Sequence, residues 1–135
     1  DRSIDDIAYF GNLPYDVQRL AHEVWDDVKA GTKRSADLED LHGTLERLLG
    51  EHDAIFEATW QRLTLAQRAA LRAAVLEDGR ELLSADRRIR YRLGGASTVQ
   101  TALQALARED LVAREGDRHV VVDSLMREWI ARKSF

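Results

Sequence analysis

The feature that most narrows the fold is a two-residue break, Gly116-Asp117, between two β-rich runs, LVARE at 111–115 and RHVVV at 118–122. Runs of that length separated by a glycine-containing pair predict a hairpin, because glycine accepts the positive φ that a two-residue turn demands. The residues before it read as short helices. Ser84 is placed to cap a brief helix over ADRRIRYR that buries Ile89 and packs Leu93 behind it, and Gly94-Gly95 makes a turn. Ser97 then caps a helix in which Val99, Ala102, Leu103 and Leu106 face inward. Its outward residues are Thr98, Gln100, Thr101, Gln104 and Arg108, as the 3.6-residue period requires. Glu81-Leu82-Leu83 reads as a short extended strand. After the hairpin, Asp123 or Ser124 caps a closing helix that buries Leu125, Met126, Trp129 and Ile130.

Upstream, the pattern is helical throughout. A short helix over residues 3–10 leads into Gly-Asn-Leu-Pro, where Pro14 suits a first helical position because its missing N–H needs no partner there. Val17, Leu20, Ala21, Val24, Trp25 and Val28 share one face of the helix that follows, and Ser35 or Asp37 is set to cap the next. That second helix carries Leu38, Leu41, Leu45, Leu48, His52, Ile55, Phe56 and Leu63 at steps of three and four, with Trp60 beside the stripe. It should run to about Arg62, and Gly43 and Gly50 predict a kink or break near Gly50. Thr64 with Gln67 matches a capping box, so a new helix starts there, burying Leu65, Leu71, Ala74 and Val75 and ending by Gly79.

Composition removes whole classes of function. The 135 residues include no Cys, which excludes disulfides, thiol catalysis, iron–sulfur clusters and zinc fingers. The N-terminus has neither a basic stretch nor an apolar signal core, and no run of 18 apolar residues exists, so the expectation is a cytoplasmic chain with no membrane partner. Net charge is −4, unevenly placed. Residues 1–60 hold 6 Lys+Arg against 14 Asp+Glu, whereas residues 61–135 hold 14 against 10. The second part is therefore the one to meet an anionic partner, unless those arginines form a solvated face.

Helix, glycine turn, helix, hairpin and closing helix is the order of a winged helix-turn-helix with a two-stranded β wing. The expected fold is mainly α, with a lid-like or connecting helical segment over residues 1–59 and the winged helix over 60–135. The strings LTLAQRAALRA, STVQTALQALAREDLVAREGDRHVVVDSLMREWI and LPYDVQRLAHEVWDD resemble the C-terminal lid and winged-helix region of prokaryotic AAA+/STAND-type, or archaeal-type, ATPases. The resemblance implies a regulatory or DNA-contacting module of a longer ATPase that uses ATP and Mg. It also implies docking on the ATPase core, a neighbouring subunit or an effector protein. By resemblance Pro14 lies near the nucleotide, although Asn12 stands where that family has Gly. No Gly-x-x-x-x-Gly-Lys-Ser/Thr phosphate loop occurs, so this stretch has no means of its own to hydrolyse ATP and no cofactor is expected in it.

Two roles for the winged helix remain open. If it binds duplex DNA, Ser97 and Thr98 contact phosphates while Gln100, Thr101 and Gln104 approach base edges, glutamine being able to pair bidentately with adenine. Phosphate contacts would then come from Arg87, Arg88, Arg90 and Arg92 and from Arg114, Arg118 and His119 on the wing. Residues 80–119 hold eight Arg but six Asp or Glu, a modest surplus for a DNA reader. If it docks on protein, the same arginines are solvated or face a partner. Other polar groupings point nowhere: His22 with Asp26 and His42 with Glu46 lack a third metal ligand, and His52 sits on an apolar stripe. Asp5-Asp6, Asp26-Asp27 and Glu39-Asp40 diverge on a helix, Ser97 has no base, and Trp25, Trp60 and Trp129 read as core.

Overall fold

The computed structural model describes residues 38–133. The helices expected over residues 3–10 and 14–30, the Ser35 or Asp37 cap, Pro14, the His22–Asp26 pair and Trp25 lie outside the described residues. Among those described, the order is α1 (Leu38–Arg62), α2 (Leu65–Leu76), α3 (Ala85–Arg90), α4 (Ala96–Arg108), β1 (Val112–Glu115), β2 (Arg118–Val121) and α5 (Ser124–Arg132). The chain divides into two units between Ala54 and Ile55. In the first, Leu41, Thr44, Leu45, Leu48 and Leu49 of α1 are buried, Arg47 pairs with Glu51 at 2.8 Å, and His52 Nδ1 lies 2.9 Å from the Leu48 carbonyl oxygen.

α1 passes unbroken through Gly43 and Gly50, against the expectation of a break. Each glycine costs a helix only about 1 kcal/mol, and the buried stripe outweighs that. Nothing lies within 4 Å of where either Cβ would be, so both sit on open sides of the helix.

In the second unit the chain turns at Leu63-Thr64. Thr64 Oγ1 accepts the Gln67 N–H at 3.1 Å and the Gln67 side chain accepts the Thr64 N–H at 2.9 Å, completing the capping box of α2. Arg68 donates to the carbonyls of Trp60 at 3.0 Å and Gln61 at 3.1 Å, satisfying acceptors that the end of α1 leaves open. α2 then packs on α4, α5 and β2, and α4 on β1. The core comprises Ala70, Leu71, Ala73, Ala74, Leu82, Leu93, Val99, Leu103, Leu106, Val112, Val120, Leu125 and Ile130. Phe56 and Trp60 reach the closing helix, their rings 5.9 and 6.3 Å from Trp129.

The hairpin forms as the glycine signal requires. β1 and β2 are antiparallel with Ala113 opposite Val120 and Arg114 opposite His119, and Gly116 takes φ +63°. Asp123 caps α5 through the N–H groups of Leu125 and Met126.

Five local expectations are corrected. Ser97 does not cap α4: Gly95 is the cap residue, with the Val99 N–H bonded to its carbonyl, so the helix starts earlier than the first serine. Glu81-Leu82-Leu83 is a turn, not a strand, with Glu81 at φ +57° and the Ser84 N–H bonded to the Glu81 carbonyl. Ile89 is 78% exposed, because α3 has only six residues and Leu82 and Leu93 on either side of it supply the burial. Leu65 is 79% exposed at the first position of α2, where the buried face is formed by Ala70, Leu71, Ala73 and Ala74, and Ile55 likewise turns out of the α1 stripe.

Candidate nucleic-acid or protein interface

α4 presents a face whose make-up is fixed by its period. With Val99, Ala102, Leu103 and Leu106 buried, Ser97, Thr98, Gln100, Thr101, Gln104, Ala107 and Arg108 are left exposed. All are uncharged except Arg108. A groove runs along each side of this ridge. On the α2 side, Thr64, Gln67, Ser97, Thr98, Thr101 and Arg108 line an open groove of about 460 Å³, rich in hydroxyls. On the wing side, Leu83, Gln100, Leu103, Gln104, Ala107, Val112, Arg114 and His119 line a slot of about 220 Å³ with an apolar floor. Gln100 and Gln104 thus share a side with Arg114 and His119, while Ser97, Thr98 and Thr101 serve the other groove.

The arginines expected to reach phosphate are mostly spoken for. Arg87 lies 2.9 Å from Asp86, 3.3 Å from Glu77 and 3.5 Å from Glu81, with its side chain only 20% exposed. Arg90 pairs with Glu77 at 3.0 Å and Asp86 at 3.4 Å, and Asp86 foremost holds its pKa above the ordinary value. Arg88 turns back on the chain, donating to the carbonyls of Leu83 at 3.1 Å and Gly94 at 3.5 Å across the helix-turn-helix corner. Arg118 donates to the Asp78 carbonyl at 3.0 Å and sits 2.8 Å from its carboxylate, a close ion pair without hydrogen-bond alignment. Arg92 and Arg108 are exposed, and Arg114 spends only Nε, on the Gly116 carbonyl at 3.0 Å.

Of the carboxylates that neutralise these arginines, Asp86 stands in α3 itself, while Glu77, Asp78 and Glu81 come from the α2–α3 connection, where backbone geometry puts them. Asp78 at φ +54° and Gly79 at φ +73° end α2, the Gly79 N–H closing on the Ala74 carbonyl at 2.7 Å. The Gly79 carbonyl in turn accepts the His119 N–H at 2.9 Å, so the wing is sewn to the end of α2. Burial foremost, then the Arg114 charge, lowers the His119 pKa below its ordinary 6.5, and the ring is neutral at pH 7.

Sequence reasoning missed Leu83, Ala107 and Val112 as residues lining the slot, and Glu77 and Asp78 as partners of the basic set. Residues 77–78 and 118 are forty positions apart, and no local signal could join them. Among the described residues no three His, Asp or Glu side chains are placed to hold a metal ion, and no helix is long and apolar enough to cross a membrane.

The hairpin behind a helix-turn-helix corner, closed by α5, agrees with the match to known families. Residues 54–132 match the family described as a probable winged helix domain. The chain belongs to that family. No curated protein and no solved structure gives a significant match to this winged helix chain. The match begins within α1 and ends at the last residue of α5, so it takes in the Phe56–Trp60–Trp129 cluster as well as the wing.

Proposed function

We propose that this winged helix is the C-terminal regulatory module of a prokaryotic AAA+/STAND-type ATPase and that it acts by docking on protein. The ATPase parentage rests on the sequence resemblance over LTLAQRAALRA and STVQTALQALAREDLVAREGDRHVVVDSLMREWI. ATP and Mg belong to that parent, and the partners are its core, a neighbouring subunit or an effector. The docking role rests on one observation: Arg87, Arg90 and Arg118 are paired to Glu77, Asp78, Glu81 and Asp86, beside an α4 ridge whose one charged residue is Arg108. A duplex reader gains most of its affinity from cations free to displace phosphate counterions.

Exposed Arg114 beside Gln100 and Gln104, with Arg92 and Arg108 also exposed, favours a second reading, direct contact with duplex DNA. Fluorescence anisotropy of a labelled random duplex, titrated at about 50 and 200 mM salt, separates the two. Docking on protein predicts no binding that responds to salt. Binding that falls steeply with salt, and is lost in an Arg108→Glu/Arg114→Glu variant, overturns it in favour of DNA.

A further inference from the structure

We infer that the slot between α4 and the wing is an anchor site for one apolar side chain of an acidic protein segment. The inference rests on the docking role proposed above and names its site and the chemistry of its partner.

Four polar side chains surround the slot, and among the described residues they keep unused hydrogen-bonding groups that face it. Gln100 and Gln104 make no side-chain hydrogen bond, the His119 ring makes none, and Arg114 keeps both η nitrogens. Beneath them lie Leu103 and Val112, both buried, with half-open Leu83 at one side. An apolar floor ringed by a few convergent, unused polar groups is the usual make-up of a recognition pocket. At about 220 Å³ the slot takes a side chain of leucine or phenylalanine size and not a drug-sized molecule. Its charge selects the rest of the partner. No Asp or Glu lines it, Arg114 is its one cation, and the Nε bond to Gly116 holds that guanidinium in place with its η nitrogens free. A carboxylate next to the anchoring residue gains a charge-assisted bond there. Neutral His119 and the two glutamines match a peptide backbone, which offers both donors and acceptors.

The test uses the full 135-residue chain, ¹⁵N-labelled, titrated with three capped dipeptides: N-acetyl-Leu-Glu-amide, N-acetyl-Leu-Lys-amide and N-acetyl-Ala-Glu-amide. The expected result is saturable amide shifts at Gln100, Gln104, Ala107, Arg114 and His119 with Leu-Glu, about tenfold weaker binding of Leu-Lys, and none of Ala-Glu. Arg114→Glu should reverse the Glu-over-Lys preference, and Ala107→Phe, which fills the slot from an exposed position, should abolish binding. Each variant's unperturbed amide spectrum reports its fold. Equal binding of Leu-Glu and Leu-Lys overturns the acidic partner. No shift with any dipeptide and none with a labelled duplex overturns the slot while leaving docking elsewhere on the domain intact. Salt-dependent duplex binding at the same amides overturns the slot and the docking role together.

Discussion

Gly79 is where the wing, the end of α2 and the basic set meet, and replacing it by alanine measures how tightly they are joined. A Cβ there would fall inside contact distance of the His119 carbonyl oxygen and 2.8 Å from its carbonyl carbon. Neither side can yield cheaply. The His119 N–H is already bonded to the Gly79 carbonyl at 2.9 Å, His119 faces Arg114 in the ladder, and Arg118 next to it is tied to Asp78. The left-handed φ of +73° adds strain for any residue with a Cβ. Placing alanine at positive φ costs about 1 kcal/mol, and overpacking against backbone adds roughly 1–3, so the loss should be about 2–4 kcal/mol. For a domain of this size that lowers Tm by roughly 10–30 °C, read by thermal unfolding with circular dichroism. Gly116→Ala is the internal control. Gly116 has a similar φ, +63°, but open space around its Cβ, so it carries the strain alone, about 1 kcal/mol. If the two variants lose the same stability, the wing root does not approach the end of α2 as described and the reasoning fails.

Trp129→Ala removes the ring shared by Phe56 and Trp60 and the face over which Lys133 Nζ lies at 4.6 Å. It should cost about 3–5 kcal/mol in urea unfolding, and a loss below about 1 would mean that the cluster is not core. Asp110→Gly relieves a left-handed residue, φ +58°, at the end of α4 and should raise stability by about 0.5–1 kcal/mol on the same scale. Glu77→Gln deprives Arg87 and Arg90 of a shared carboxylate; it should raise low-salt duplex affinity above wild type, and no change would mean that these cations are not masked by Glu77. Because the His119 pKa is depressed, the unfolded chain binds more protons than the folded one as pH falls below 6.5. Stability from this group is therefore complete above that value and is lost on acidification through the folded pKa. Wild type should lose more Tm between pH 7 and 5 than His119→Gln does, and parallel profiles would refute the shift.

Local chemistry made much of this fold readable. The Thr64–Gln67 box, the Ser84 and Asp123 caps and the Gly116 turn each act within three or four residues, so the segment carries its own instruction. The same holds for the inward faces of α4 and α5, where period alone selects Val99, Leu103, Leu106, Met126 and Trp129. Leu65, Ile55 and Ile89 misled because apolar character marks a residue as able to be buried, while a neighbouring element decides whether it is.

What the sequence by itself determined is therefore the succession of helix, turn, helix, hairpin and closing helix, and the identity of the exposed polar row on α4. What only the tertiary structure decided is the electrostatic meaning of the arginines. By composition, residues 80–119 carry a surplus of cations; in space, Glu77 and Asp78, just outside that span, fold back onto Arg87, Arg90 and Arg118. Charge is a property of residues, but its availability to a partner depends on distances of 2.8 to 3.3 Å between side chains up to forty positions apart. Those distances follow from a left-handed turn at Asp78-Gly79 and a backbone bond to His119.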